Sequence, residues 1–200
     1  MPHLYEYTPS GNCYKIRLLL TQLGIPFERT ELDIIKGETR TPEFIRLNPN
    51  GRVPLVRLDS GELLSESNAV IFYFAEGTPF LPTARLERAQ VLSWLFWEQY
   101  EHEPNIATSR FLISYLKKAE QFKDVLDQKR LKGHAALDRM EKHLTGHDFF
   151  VAGRYTIADI ALYAYTHVAE EGNFDLSGYP AIRAWLERVA SQPGHIPITG

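Results

Sequence analysis

The chain has 200 residues, 44% of them hydrophobic and 24% charged, a composition that can bury a core and excludes a disordered chain. Its formal net charge of -3, with no long run of Lys or Arg, removes the electrostatic footprint of a nucleic-acid binder or a membrane-surface protein. The single cysteine, Cys13, has no mate for an internal disulfide. Met1-Pro2-His3 lacks the basic and apolar regions of a signal peptide, and no stretch nears the roughly 20 apolar residues of a membrane span, so the expected compartment is the cytoplasm.

A short strand is predicted from His3 to Tyr7. From about Cys13 to Leu23, the residues Ile16, Leu19, Leu20 and Leu23 recur at helical spacing, and Gly24 with Pro26 supplies the stop. Phe27 to Leu32 returns as a second strand, completing a strand-helix-strand unit. Thr41 to Leu47 is a weaker helical segment opened by Pro42. Pro54 to Leu58 and Glu62 to Leu64 flank Asp59-Ser60-Gly61, a hairpin signal. Ser67 then opens a helix whose apolar face holds Ala69, Val70, Tyr73 and Phe74, and Gly77 ends it. That order of elements predicts an α+β, thioredoxin-like domain with a four-stranded mixed sheet and helices on its faces.

Pro79 and Pro82 mark a linker, beyond which strand-like alternation disappears. Val91, Leu92, Leu95 and Phe96, then Leu126, Leu131, Leu137, Met140 and Leu144, show helical spacing and predict an all-α helical bundle. The expected division is residues 1–78, a linker at 79–85, and a helical domain at 86–200. Thr156-x-x-Asp159 is a capping pattern for a helix that Ile157, Ile160, Ala161 and Ala164 would bury centrally. Glu98, Glu101, His102 and Glu103 read as a solvated helix face and not as a metal site, because no second ligand cluster matches them.

Three segments of the first domain carry chemistry. Ser10-Gly11-Asn12-Cys13 lies where the first strand meets the first helix, a place whose free N–H groups and positive dipole end favour an anion such as a thiolate; helix capping alone also accounts for Ser10 and Asn12. Asn48-Pro49-Asn50-Gly51-Arg52-Val53-Pro54 is a turn leading into a strand that opens with proline. A cis Val53-Pro54 bond would let Val53 pair its backbone with a peptide-like ligand; an ordinary trans bond is the alternative, and Arg52 is either a ligand contact or a surface charge. Ser65-Glu66-Ser67-Asn68 opens the third helix, where Ser67 suits a carboxylate and Glu66 an ammonium, as an amino-acid head group requires, although Ser67 also suits a plain cap.

Together these segments resemble the cytosolic glutathione transferase superfamily. Ser10-x-x-Cys13 is similar to the serine-type site of the theta, delta and zeta classes, and Ser10 with Asn12 to the Thr/Asn pair of bacterial nu-like members. Pro42-Glu43-Phe44 ahead of Asn48-Pro49-x-Gly51-x-Val53-Pro54, then Glu66-Ser67, then Thr156-x-x-Asp159, complete the likeness. The resemblance implies that Ser10 and Asn12 are catalytic and activate the thiol of glutathione, that Val53 pairs with its cysteinyl backbone, that Glu66 and Ser67 hold its γ-glutamyl end, and that Arg40 and Arg52 hold its glycine carboxylate. It also implies a homodimer, a co-substrate (glutathione) with no metal, and a small apolar electrophile, peroxide or disulfide met by the helical domain.

Activation needs only a shift in acidity. Lowering a thiol from about 8.5 to about 6.5 corresponds to roughly 2.7 kcal/mol. One charge-assisted hydrogen bond of about 1.5 to 3 kcal/mol beside a helix end can supply it. Tyr7 is the rival donor, since other classes of the superfamily use a tyrosine at the end of this strand. Cys13 occupies the second position of a C-x-x-C motif whose first position is Ser10, so it reads as a small core residue and not a nucleophile. Three activities stay open: conjugation, glutathione-dependent disulfide or peroxide reduction, and binding without turnover.

Overall fold

The computed structural model describes residues 1–200 and divides them into two compact units, Met1–Glu76 together with Pro193–Gly200, and Gly77–Gln192. Residues Pro193–Gly200, which the sequence places with the helical domain, group with the first unit.

Unit 1 is built on strands β1 (His3–Glu6), β2 (Glu28–Glu31), β3 (Leu55–Arg57) and β4 (Leu63–Ser65), in the order β2-β1-β3-β4. β1 pairs parallel with β2 and antiparallel with β3, and β3 and β4 form the hairpin. The strand after Pro54 starts one residue later than the apolar run, because proline has no N–H for the ladder. Helices α1 (Gly11–Gln22), α2 (Pro42–Leu47) and α3 (Ser67–Ala75) complete the unit. Its core joins Leu4, Leu55 and Val56 of the sheet to Ile16, Leu19, Leu20, Val70 and Ile71 of α1 and α3.

Charged groups lie inside that unit as well. Glu6 and Arg17 are both fully buried and ion-paired, with Arg29 engaging the other carboxylate oxygen. Arg17 also donates to the carbonyls of Thr8, at 3.0 Å, and of Ile198. Tyr14 donates to the carbonyl of Ile196 at 2.7 Å. The segment 193–200 is thus hydrogen-bonded to α1 as a fixed part of unit 1.

Unit 2 contains α4 (Arg85–Trp97), α5 (Glu103–Arg110), α6 (Lys123–Leu144), α7 (Ile157–Thr166) and α8 (Pro180–Ala190). A π-helical stretch, Glu98–His102, leads from α4 into α5. Pro104 lacks an N–H for the regular helical ladder, and the wider turn just before it absorbs that loss. Every residue of α7 is buried, in line with the expected central helix. Its capping box is complete: Thr156 accepts from the N–H of Ala158, while Asp159 accepts from Thr156 N–H at 2.9 Å, Phe150 N–H at 3.1 Å and Trp185 Nε1 at 3.0 Å.

Two expectations for this unit are corrected. Leu131 is 76% exposed. It sits about 140° round α6 from Leu126 at ~100° per residue, away from the face that Leu137, Met140 and Leu144 bury. Glu98 and His102 are fully buried, not solvated. Thr166 commits its hydroxyl proton to the Leu162 carbonyl at 2.7 Å, so His102 Nε2, 2.9 Å away, donates to it.

Candidate active site

The register of the sheet gathers the candidate residues before any side chain is considered. Tyr5 pairs with Leu55, and Leu55 with Ser65. Because β3 runs against both neighbours, the end of β1, the start of β3 and the end of β4 lie on one margin of the sheet. Tyr7 to Ser10, Val53-Pro54 and Glu66-Ser67 leave the strands there.

The first of these is a tight bend. Ser10 N–H donates to the Tyr7 carbonyl at 2.8 Å, and the Glu31 carboxylate receives both the N–H and the hydroxyl of Thr8. Ser10 then caps α1 from extended geometry, φ -72° and ψ 122°, its Oγ accepting the N–H of Cys13 at 3.4 Å. A capping oxygen used as an acceptor leaves the hydroxyl proton available to donate. Asn12, half-buried, follows on the first turn. Cys13 is fully buried and in no disulfide, and burial pushes its thiol up to about 12 against the opposing hydrogen bond from Tyr7 N–H. It is a core residue and a poor nucleophile at neutral pH.

At the start of α3, Glu66 holds φ 68° and ψ 110°, a conformation that costs a non-glycine residue on the order of 1–3 kcal/mol. That turn delivers Ser67 into a buried position at the helix N-terminus with Glu66 exposed beside it. Ser67 Oγ donates to Asn12 Oδ1 at 3.0 Å, tying the first turns of α1 and α3 together. With its hydroxyl so engaged, Ser67 has its backbone N–H and the helix dipole left to receive an anion. Lys15, a fully buried residue that sequence reasoning missed, donates to Ser67 Oγ at 3.4 Å and Asn68 Oδ1 at 3.2 Å. The signal was available: it is the one lysine of α1, three residues from Asn12 and hence on the same face.

The Val53-Pro54 bond is cis. No hydrogen bond within the chain engages the N–H or C=O of Val53. The loop ahead of it is organised by the buried Asn48, whose amide donates to the Arg52 carbonyl at 2.7 Å and accepts the N–H of Asn50 at 3.2 Å. Gly51 has φ +58°, and a Cβ there would lie 2.6 Å from Arg40 Nη1 and 3.0 Å from the Thr39 carbonyl. The loop therefore admits only glycine at that point. Arg40 spans it, donating to the Asn50 carbonyl at 3.1 Å, while Arg52 is exposed. Arg40 and Arg52 thus share one loop and Asn12 and Ser67 one hydrogen bond, with Ser10 and Glu66 next to them in sequence.

Comparison with known proteins agrees in both units. Residues 9–76 match the model of the glutathione S-transferase N-terminal domain, and residues 105–193 that of the C-terminal domain. Glutathione S-transferase D7 of Anopheles gambiae is 31% identical over 97% of this chain and 89% of its own length. The chain belongs to the cytosolic glutathione transferase superfamily.

Within that superfamily, similarity extends to the disulfide-bond oxidoreductase YfcG of Escherichia coli, 29% identical over 94% of this chain and 89% of that protein. The crystal structure of a glutathione S-transferase from Pseudomonas fluorescens superposes with a TM-score of 0.97 at 48% identity, covering 100% of this chain and 99% of that one. The N-terminal family match spans Ser10, Asn12, Arg40, Arg52, Val53, Glu66 and Ser67. Lys15 lies within it as well.

Proposed function

We propose that the protein is a glutathione transferase that binds glutathione at the sheet margin, stabilises its thiolate with Ser10 and Asn12, and directs it at a small apolar electrophile. The observation that carries this reading is the Ser67-Asn12 hydrogen bond, which brings two helix N-termini and their positive dipole ends to one place. A tripeptide laid there would meet the unused N–H and C=O of Val53 as an added strand does. Its γ-glutamyl carboxylate would face the N–H of Ser67, its ammonium Glu66, and its glycine carboxylate Arg40 and Arg52. The electrophile is assigned to the helical unit, and the compartment to the cytoplasm, where glutathione keeps thiols reduced.

A second reading has its own support. Asn12 and the likeness to a disulfide-bond oxidoreductase favour disulfide reduction, in which bound thiolate attacks a mixed disulfide, releases a thiol and leaves oxidised glutathione. Peroxide reduction by the same thiolate belongs with it. A homodimer is proposed through the face that carries Phe96 and Tyr100, which are 72% and 82% exposed and four residues apart.

Calorimetry with glutathione, then turnover of a chloronitroarene, an organic peroxide and a small mixed disulfide by wild type and Ser10→Ala, tests these readings. Conjugation exceeding the other two supports the transferase; disulfide or peroxide turnover in excess supports the second reading. Uptake of glutathione without turnover of any would leave a binding protein, and no uptake would overturn all three.

A further inference from the structure

Three side chains form a directed chain beneath the site just described. Lys15 Nζ donates to Ser67 Oγ at 3.4 Å, and Ser67 Oγ donates to Asn12 Oδ1 at 3.0 Å. An ammonium has donors and no acceptor, whereas a hydroxyl has one proton and can also accept. Facing Lys15, the Ser67 oxygen must accept, so its proton is turned toward Asn12. An amide can meet a neighbour with either end, its C=O accepting or its NH2 donating. Against a hydroxyl that already donates, Asn12 must present the C=O, and its NH2 then points away from Ser67.

We propose that Lys15 is a positioning residue: by fixing the direction of the Ser67-Asn12 hydrogen bond it makes Asn12 offer its amide N–H, and not its C=O, to the thiol sulfur. This rests on the reading that Asn12 donates to glutathione's sulfur. An N–H directed at the sulfur stabilises the thiolate; a carbonyl oxygen in the same place repels it. Lys15 is suited to the task because burial holds it in one place, against Ser67 and Asn68 at once. A solvated lysine would leave the hydroxyl rotor free to reverse.

The test is a pH titration of the ultraviolet thiolate absorbance of glutathione bound to wild type, Lys15→Met, Asn12→Ala and the double variant. Lys15→Met is expected to raise the bound thiol's pKa by about one unit, a tenfold loss of thiolate below it. Asn12→Ala should raise it at least as far, and the double variant no further than Asn12→Ala alone. Conjugation by Lys15→Met should recover at a pH above the shifted value, a recovery that general damage to the fold would not allow. If Lys15→Met does not fold, Ser67→Ala removes the middle link without emptying the core, and its shift should likewise vanish in the Asn12→Ala background. An unchanged pKa in the folded variants, or a shift that persists without Asn12, overturns the inference alone. A wild type that binds glutathione without acidifying it, or does not bind it, overturns the functional reading and this one with it.

Discussion

The hydroxyl oxygen of Ser10 accepts the backbone N–H of Cys13 at 3.4 Å, so one side chain both caps α1 and keeps a proton to donate. The two roles separate by substitution. Ser10→Ala loses both: about 1 kcal/mol of stability from the missing cap, and roughly 10- to 100-fold in turnover from the missing donor. Ser10→Asp retains a capping oxygen but sets a carboxylate beside the thiolate. Its urea midpoint should match wild type, and its turnover should fall at least as far as that of Ser10→Ala. Full activity in Ser10→Asp would remove Ser10 from the mechanism and turn attention to Tyr7.

Cys13, with its thiol pushed up to about 12 by burial, should resist a thiol reagent in the native protein and react at once when unfolded. Cys13→Ala should keep whichever glutathione-dependent turnover the wild type shows within about twofold and cost about 1 kcal/mol, as deletion of a small buried group does. Loss of reductase activity alone in this variant would make Cys13 a redox nucleophile.

Asp159 links stability to pH. Burial raises its carboxyl from 3.8 to about 6 despite hydrogen bonds from Thr156, Trp185 and Phe150. The folded carboxyl therefore holds its proton more tightly than the unfolded one. Its contribution to stability is full below about pH 4 and is lost as pH rises through about 6, by about 3 kcal/mol for a gap of this size. Asp159→Asn is less stable throughout, through loss of acceptors, and lacks this slope. Urea unfolding at about pH 4 and about pH 7 should show the gap between the two proteins narrowing at the higher pH; a constant gap would refute the assignment.

Glu6 and Arg17 are a buried pair, so removing one partner strands the other. Glu6→Gln should cost about 3–5 kcal/mol in chemical denaturation, and the double change Glu6→Gln with Arg17→Met much less than the sum of the single ones. Additive losses would mean that each residue acts through its other partners, Arg29 for Glu6 and the Thr8 carbonyl for Arg17.

What was legible in the sequence is what has a local cause. The stop at Gly24, the hairpin around Gly61 and the cap at Thr156 each depend on a few adjacent residues, and the elements lie where those signals put them. The four-stranded mixed sheet of the first unit also follows from the order of its elements. Leu131 was misplaced because a five-residue step was counted as helical spacing when it falls on the far side of α6. Glu98 and His102 read as solvated groups by residue type, whereas His102 has a hydroxyl partner 64 residues away at Thr166. Lys15 escaped notice for the same reason. Its partners, Ser67 and Asn68, are more than fifty residues along the chain, and only the packing of α1 against α3 brings them within reach. The return of residues 193–200 to unit 1 has no local signature at Ile196 and Ile198, whose bonds are made by backbone carbonyls, which any residue type supplies.

That return has a consequence for how the protein is made. During synthesis α1 leaves the ribosome early, but the strap that receives hydrogen bonds from Tyr14 and Arg17 is translated only after every helix of the other unit. The buried guanidinium must wait, short of one carbonyl acceptor, until Ile198 has emerged, so maturation of the first-born part is tied to synthesis of the helical unit.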